Sequence, residues 1–152
     1  AAYWVCAYAN NQHELGKDLG ADPMASSFAR ALNIAAGVLL VLDPKSTPFT
    51  RMWCVFEESV TVLNLLRRQD PLLLDIATVG ADRQPRLLTE GLTEYEAKMQ
   101  NESLAWLRKG ERESGFPLSV VLSGLAINVE AARASKDLDR VRILNSIARR
   151  SN

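Results

Sequence analysis

Apolar positions along this chain recur sometimes at every second residue or in unbroken short runs and sometimes at helical spacing, and the switches between these periods predict its elements. Tyr3 to Tyr8 (YWVCAY) is a run of aromatic and β-branched residues that reads as a strand buried on both faces, left through the loop Ala9-Asn10-Asn11-Gln12-His13. Asp22-Pro23 opens a helix over about Met24 to Ala35, where Met24, Phe28, Leu32 and Ala35 fall on one side and Gly37 lies past the end. Val38 to Leu42 is continuously apolar and ends in Asp43, the pattern of a parallel strand covered on both sides. After a polar loop containing proline, a helix capped at or near Thr50 runs to about Arg68 on the arc Met52, Phe56, Val60, Leu63 and Leu66.

The second half continues the alternation. Leu72 to Val79 (LLLDIATV) predicts a third strand, interrupted by Asp75, and Gly80 to Pro85 a loop. The stretch Gly80 to Gly91 reads as a strand-to-helix connection with an insertion. Tyr95, Met99 and Leu107 mark one long charged helix between about Thr93 and Glu113. Phe116-Pro117 starts a short helix that Gly124 can end, after which Leu125, Ile127 and Val129 alternate with Ala126, Asn128 and Glu130 as in a half-buried strand. A helix continuing through Gly124 is the rival reading, because a short apolar run fits either period. Ser135 caps a last helix carrying Leu138, Val141, Leu144 and Ile147, with Asp137 and Asp139 in its first turn and Arg149 and Arg150 at its end, matching the helix dipole.

Four strands alternating with helices predict an α/β domain, a flavodoxin-like parallel sheet with helices on both faces. No repeat, low-complexity tract or interdomain linker interrupts residues 1–152, so a single domain is expected. The chain lacks an initiator Met and its first residues already read as a strand, which suggests a fragment of a longer protein.

Composition removes several classes of function. With 18 basic and 18 acidic residues the chain is neutral, so no global field favours nucleic acid or an anionic membrane. One histidine, His13, and two scattered cysteines, Cys6 and Cys54, offer no zinc spacing, and no metal is expected. The cysteines sit in apolar surroundings as small hydrophobes of a reducing compartment, and no apolar run approaches a membrane span, so a soluble cytoplasmic protein is expected. Gly16 and Gly20 form no phosphate loop and Ser123-Gly124 no nucleophile elbow.

The run Val38 to Leu42, the polar loop and Trp53-Cys54-Val55-Phe56-Glu57 together resemble the Trp-Cys-x-x-Glu segment of Toll/interleukin-receptor (TIR) domains. Tyr3 to His13 is similar to the second strand and following loop of that fold, and Ala132 to Ile147 (ARASKDLDRVRILNSI) to the tail of TIR-like domains in large proteins of unicellular eukaryotes. The resemblance implies an N-terminally incomplete TIR-like domain, lacking the first strand and helix, with a gap between the strands at Tyr3 and Val38. It implies a signalling module that associates with homotypic or other TIR-like domains. As the alternative it implies an NAD glycohydrolase, with NAD as substrate rather than as a required cofactor.

Glu57 would be the key carboxylate of that alternative. It follows Trp53 by four residues at the edge of the apolar arc, whereas Glu58 falls on the polar side, and the helix dipole favours its ionised form. A carboxylate beside an indole and open to a cleft can hold ribose hydroxyls and stabilise an oxocarbenium ion, and a cationic nicotinamide leaving group needs no general acid. The competing reading of Glu57 is an ordinary first-turn acid. Asn10, Asn11 and Gln12 either bond a ligand or simply make a turn; Asp43 either caps the loop and orients Arg51 or joins it in binding; Trp53 is either a packing aromatic or a ligand platform.

Overall fold

A computed structural model of the protein describes residues 2–5, 22–67, 72–134 and 136–149. Within them lies a three-stranded mixed sheet of order β1-β2-β3 with six α-helices, an α/β arrangement in which one face of β1 and β2 is exposed where helices on both faces were expected. The predicted strand at Tyr3 to Tyr8 has no strand in its described part: Tyr3 to Val5 are irregular and exposed, with Trp4 meeting Phe28 edge-on at 5.8 Å, and the remainder lies outside the described residues.

Asp22 and Pro23 start a helical turn as expected, the Asp22 carboxylate accepting from the Met24 amide at 2.9 Å, but that turn is a single 3₁₀ turn, Pro23–Ala25. Ser26 then caps α1 (Ser27–Ile34) by accepting from Ala29 N at 3.3 Å. Strand β1 (Gly37–Val41) follows at once. Gly37 therefore does not cap the helix. It begins the strand, where a Cβ would stand 2.9 Å from the Leu73 carbonyl oxygen, so the close approach of β2 is what excludes a side chain.

A 3₁₀ turn at Thr47–Thr50 leads into α2 (Met52–Arg67), whose first amide is satisfied by the Arg133 carbonyl at 2.8 Å, while Arg133 N donates to Thr50 O at the same distance. Two backbone bonds across the chain take the place of the expected Thr50 side-chain cap. Strand β2 (Leu73–Val79) pairs parallel with β1, so β1, α2 and β2 form a parallel βαβ unit in which Leu39 faces Asp75 and Leu40 faces Ile76.

From here the structure corrects the sequence reading in three places. The stretch after Gly80 is a hairpin, not a loop: Gly80 N donates to Gln84 O at 2.8 Å, Arg83 turns the chain at φ 62, and β3 (Pro85–Leu88) returns antiparallel to β2. The sheet is thus mixed instead of all parallel. The long helix breaks into α3 (Glu94–Ala97) and α4 (Glu102–Glu113) because Asn101 accepts from Leu104 N and starts a new helix. The helix after Pro117 runs through Gly124 as α5 (Leu118–Leu125), so the expected strand at Leu125 to Val129 is absent; Val129–Ala131 is a 3₁₀ turn. Gly124 lies within this helix beside Phe49, whose ring would lie 3.5 Å from a Cβ there, an ordinary contact.

The chain closes with α6 (Asp137–Ala148), preceded by Lys136 at the cap position; Ser135, the expected cap, lies outside the described residues. Two clusters hold the fold. Met52, Phe56 and Val60 of α2 meet Leu32 of α1 and Ile143 of α6, with Val38 and Trp53 packed alongside. Leu40 and Leu42 meet Val120 of α5, with Phe49, Ile76 and Phe116. The alternate residues Leu39 and Val41 of β1, and Leu73 and Val79 of β2, point to the other face and are exposed. Among the described residues no helix is long and apolar enough to cross a membrane.

Candidate functional site

A cleft of about 620 Å³ opens beyond the carboxyl ends of β1 and β2, lined by Val41, Leu42, Asp43, Thr47, Arg51 and Val79 among others. Ligands in open α/β sheets gather at this end, because loops leaving parallel strands diverge there. Two of the residues singled out from the sequence, Asp43 and Arg51, line the cleft.

Asp43 is largely occupied with building the loop. Its Oδ1 accepts from Thr47 N at 2.8 Å and Lys45 N at 3.2 Å, and bonding by Thr47 followed by the nearby Lys45 charge holds its pKa below the ordinary value. Ser46, buried and left-handed at φ 52, donates its hydroxyl to Val120 O at 2.9 Å. Thr78 donates to Leu42 O at 2.8 Å. The loop is thus pinned to α5 on one side and to β2 on the other. Of the two roles open to Asp43, capping the loop is the one the geometry displays.

Trp53 lies half-buried against the α1–α2–α6 cluster with its ring edge-to-face on Phe56, centroids 5.9 Å apart, and does not line the cleft. Glu57 does not line it either. Desolvation by the packed helix, then the neighbouring Glu58 charge, push its pKa up to about 7, with Arg51 pulling the other way. Burial thus works against the ionised form that the helix dipole was expected to favour. The helical wheel also separated Glu57 from Glu58 too sharply, since Glu58 is half-buried too and desolvation lifts it likewise to about 7. Asn10, Asn11 and Gln12 lie outside the described residues.

The structure assembles one charged cluster that the sequence reading did not mark. Glu96, only 4% exposed, receives Arg112 Nε at 2.9 Å and Nη2 at 3.1 Å, and the Thr93 amide at 2.8 Å. Arg112 Nη2 also donates to Thr89 Oγ1, and Glu113 accepts from Thr89 N and from Lys109 Nζ, each at 2.8 Å. Hydrogen bonds from Arg112 hold the Glu96 pKa down at about 2. Thr93-x-x-Glu96 is a capping box, legible as such in the sequence; the partner Arg112, on the next helix, was not. With its charges paired and its acceptors filled, the cluster ties the end of β3 to α3 and α4.

Among the described residues no three His, Cys, Asp or Glu side chains are grouped to hold a metal ion. Comparison of the chain with protein-family models, with curated proteins and with solved structures gave no match.

Proposed function

We propose that the chain is a TIR-like module of flavodoxin-like architecture that works by associating with further copies of itself or with similar domains. What supports the architecture is the βαβ unit β1–α2–β2, which carries Trp53-Cys54-x-x-Glu57 in the first turns of its helix and opens a cleft at its strand ends. The observation that carries the function is the exposed sheet face on which Leu39, Val41, Leu73 and Val79 are apolar, with the acidic Asp75 opposite Leu39. Apolar patches of this kind mark surfaces that meet another macromolecule.

NAD cleavage is the second reading, favoured by one observation. Arg51 lines the cleft and also acts electrostatically on Glu57, which links that carboxyl to the cleft mouth. Asp43, the carboxylate that lines the cleft among the described residues, has its Oδ1 taken up by the turn, and Glu57 lies outside the lining with its pKa raised by burial to about 7.

Sedimentation of the chain over a range of concentrations, with nicotinamide release from NAD followed in parallel, tests the choice. Association without turnover is the expected result. A monomer at every concentration would remove the first reading, and turnover lost in Glu57→Ala but kept in Glu58→Ala would install the second.

A further inference from the structure

The two edges of the sheet are built differently. At one, β3 is four residues long, begins with Pro85, carries Arg86 paired with Asp82, and has α4 packed against it. Short length, proline, charge and a covering helix are the devices that keep an edge from pairing with another chain. At the other edge, β1 (Gly37-Val38-Leu39-Leu40-Val41) contains no proline and no charge, and Leu39 and Val41 are 56% and 62% exposed.

The backbone of this edge restricts what can cover it. Leu42 N donates to Ala77 O and Leu73 N to Ala36 O, so the even-numbered residues of β1 turn their amides and carbonyls to β2. Those of Gly37, Leu39 and Val41 turn the other way, where no strand pairs with them among the described residues. Donors and acceptors alternating along an extended chain are matched by another extended main chain, not by a surface of side chains. Register then selects among such chains. Laid antiparallel about a twofold axis through Leu39, a second β1 sets Leu39 against its own copy and Gly37 against Val41, and each of these pairs exchanges both of its hydrogen bonds, so every free group of the edge is matched. Gly37, without a side chain, leaves room for the β-branched Val41 opposite. The two Asp75 positions, one strand in from the join on either side, stay about 14 Å apart, three strand spacings, which is beyond the screening length of physiological salt.

We propose that the free edge of β1 is where a second copy of the chain docks, β1 against β1 about a twofold axis through Leu39, joining two three-stranded sheets into one of six strands. This rests on the self-association reading above and supplies its geometry. The exposed face of each sheet becomes continuous across the join, with the Leu39 side chains of the two copies as its central cross-strand pair. An edge contact buries less than a standard interface, which makes the pair transient, with a dissociation constant of about 0.1–1 mM.

The test combines sedimentation equilibrium of the full chain between ~10 µM and ~1 mM with amide hydrogen exchange at the two ends of that range. The wild type is expected to rise from the monomer mass toward twice that value. Leu39→Lys and Leu39→Glu each set like charges directly opposite, and each is expected to raise the dissociation constant about tenfold or more, with circular dichroism unchanged because Leu39 is exposed. An equimolar mixture of the two is expected to associate again. Exchange should slow at high concentration at the amides of Gly37, Leu39 and Val41, whereas those of Val38 and Leu40, already bonded to β2, should not change. Leu107→Glu, exposed on α4 at the far side of the sheet, is expected to leave the mass curve as it is. A wild type that dimerises without new protection at those three amides, or whose association survives both Leu39 variants, overturns the edge assignment and leaves self-association standing. A wild type monomeric throughout overturns both.

Discussion

The buried hydroxyl of Ser46 donates to the Val120 carbonyl at 2.9 Å, bridging 74 positions of sequence and locking the loop that leaves β1 onto α5. Ser46 reaches that carbonyl from a left-handed backbone at φ 52, so the bond and the strain are held by the same residue. The loop and the helix can therefore hardly be perturbed separately.

Ser46→Ala is expected to destabilise the fold by about 1–2 kcal/mol, the cost of a lost buried hydrogen bond. Ser46→Gly loses the same bond yet relieves the left-handed strain, so it should fall between Ala and wild type. Urea unfolding followed by tryptophan fluorescence gives the order. If the glycine variant is the weakest of the three, the backbone conformation is not costing the fold anything.

At Gly37 the expected effect has a different origin. An alanine methyl would sit 2.9 Å from the Leu73 carbonyl oxygen, a backbone atom that cannot step aside without opening the β1–β2 ladder. Gly37 is itself exposed, but because the clash is with backbone, Gly37→Ala should cost about 1–3 kcal/mol, as overpacking against an unyielding neighbour does. The same substitution at Gly110, where nothing lies within 4 Å, should be neutral or stabilising, since it replaces glycine inside a helix. Equal thermal shifts for the two would show that β1 yields freely.

The Glu96–Arg112 pair makes a prediction about acid. Arg112 lowers the Glu96 pKa to about 2 from an ordinary 4.5, so its stabilisation is complete above about pH 4.5 and is lost as pH falls through about 2. Arg112→Met leaves a buried carboxylate unpaired, and should lower the melting temperature at pH 7 while moving the acid transition of the variant to higher pH. Arg112→Lys restores charge but not the two-pronged bonding, and should lie between. An acid transition unchanged in Arg112→Met would place the acid-sensitive carboxylates elsewhere.

How far the sequence could be read followed from the range of the forces involved. Val38 to Leu42 and Leu72 to Val79 were legible as strands because each is a short apolar run bounded by polar or turn residues, but the expected cover on both faces is absent: Leu39, Val41, Leu73 and Val79 are exposed on one side. The hairpin to β3 was missed because Pro85 and a four-residue length argue against a strand, although the turn's own Asp82, accepting from Gln84 N at 3.1 Å, was available as a signal. Leu125 to Val129 failed for a different reason. Its alternation suits a strand, yet the helix from Leu118 runs on through Leu125, packed through Val120 on Leu40 and Leu42 and bonded by the distant Ser46, contacts that local spacing does not carry. Asp43 and Arg51 line the cleft because their positions put them at the strand ends. The state of Glu57 depends on how far tertiary packing buries it, which local spacing does not carry.

The two glutamates of α2 give the opposite pH dependence to Glu96. Desolvation raises both Glu57 and Glu58 from 4.5 to about 7, so the folded chain binds more protons than the unfolded one between those values. Their contribution to stability is full below about pH 4.5 and is lost as pH rises through about 7, because ionising either one in place means charging a partly buried carboxyl. Glu57→Gln should therefore stabilise the protein at pH 8, by about 2 kcal/mol, and leave it unchanged at pH 4. Glu58→Gln should behave alike. The double variant should gain less than the sum, since part of the Glu57 shift comes from Glu58 itself. Chemical denaturation at the two pH values measures all three. Gln variants that lose stability at pH 8 would mean that a counter-charge such as Arg51 dominates over burial, and that Glu57 is held ionised after all, as a carboxylate at work in the cleft would need to be.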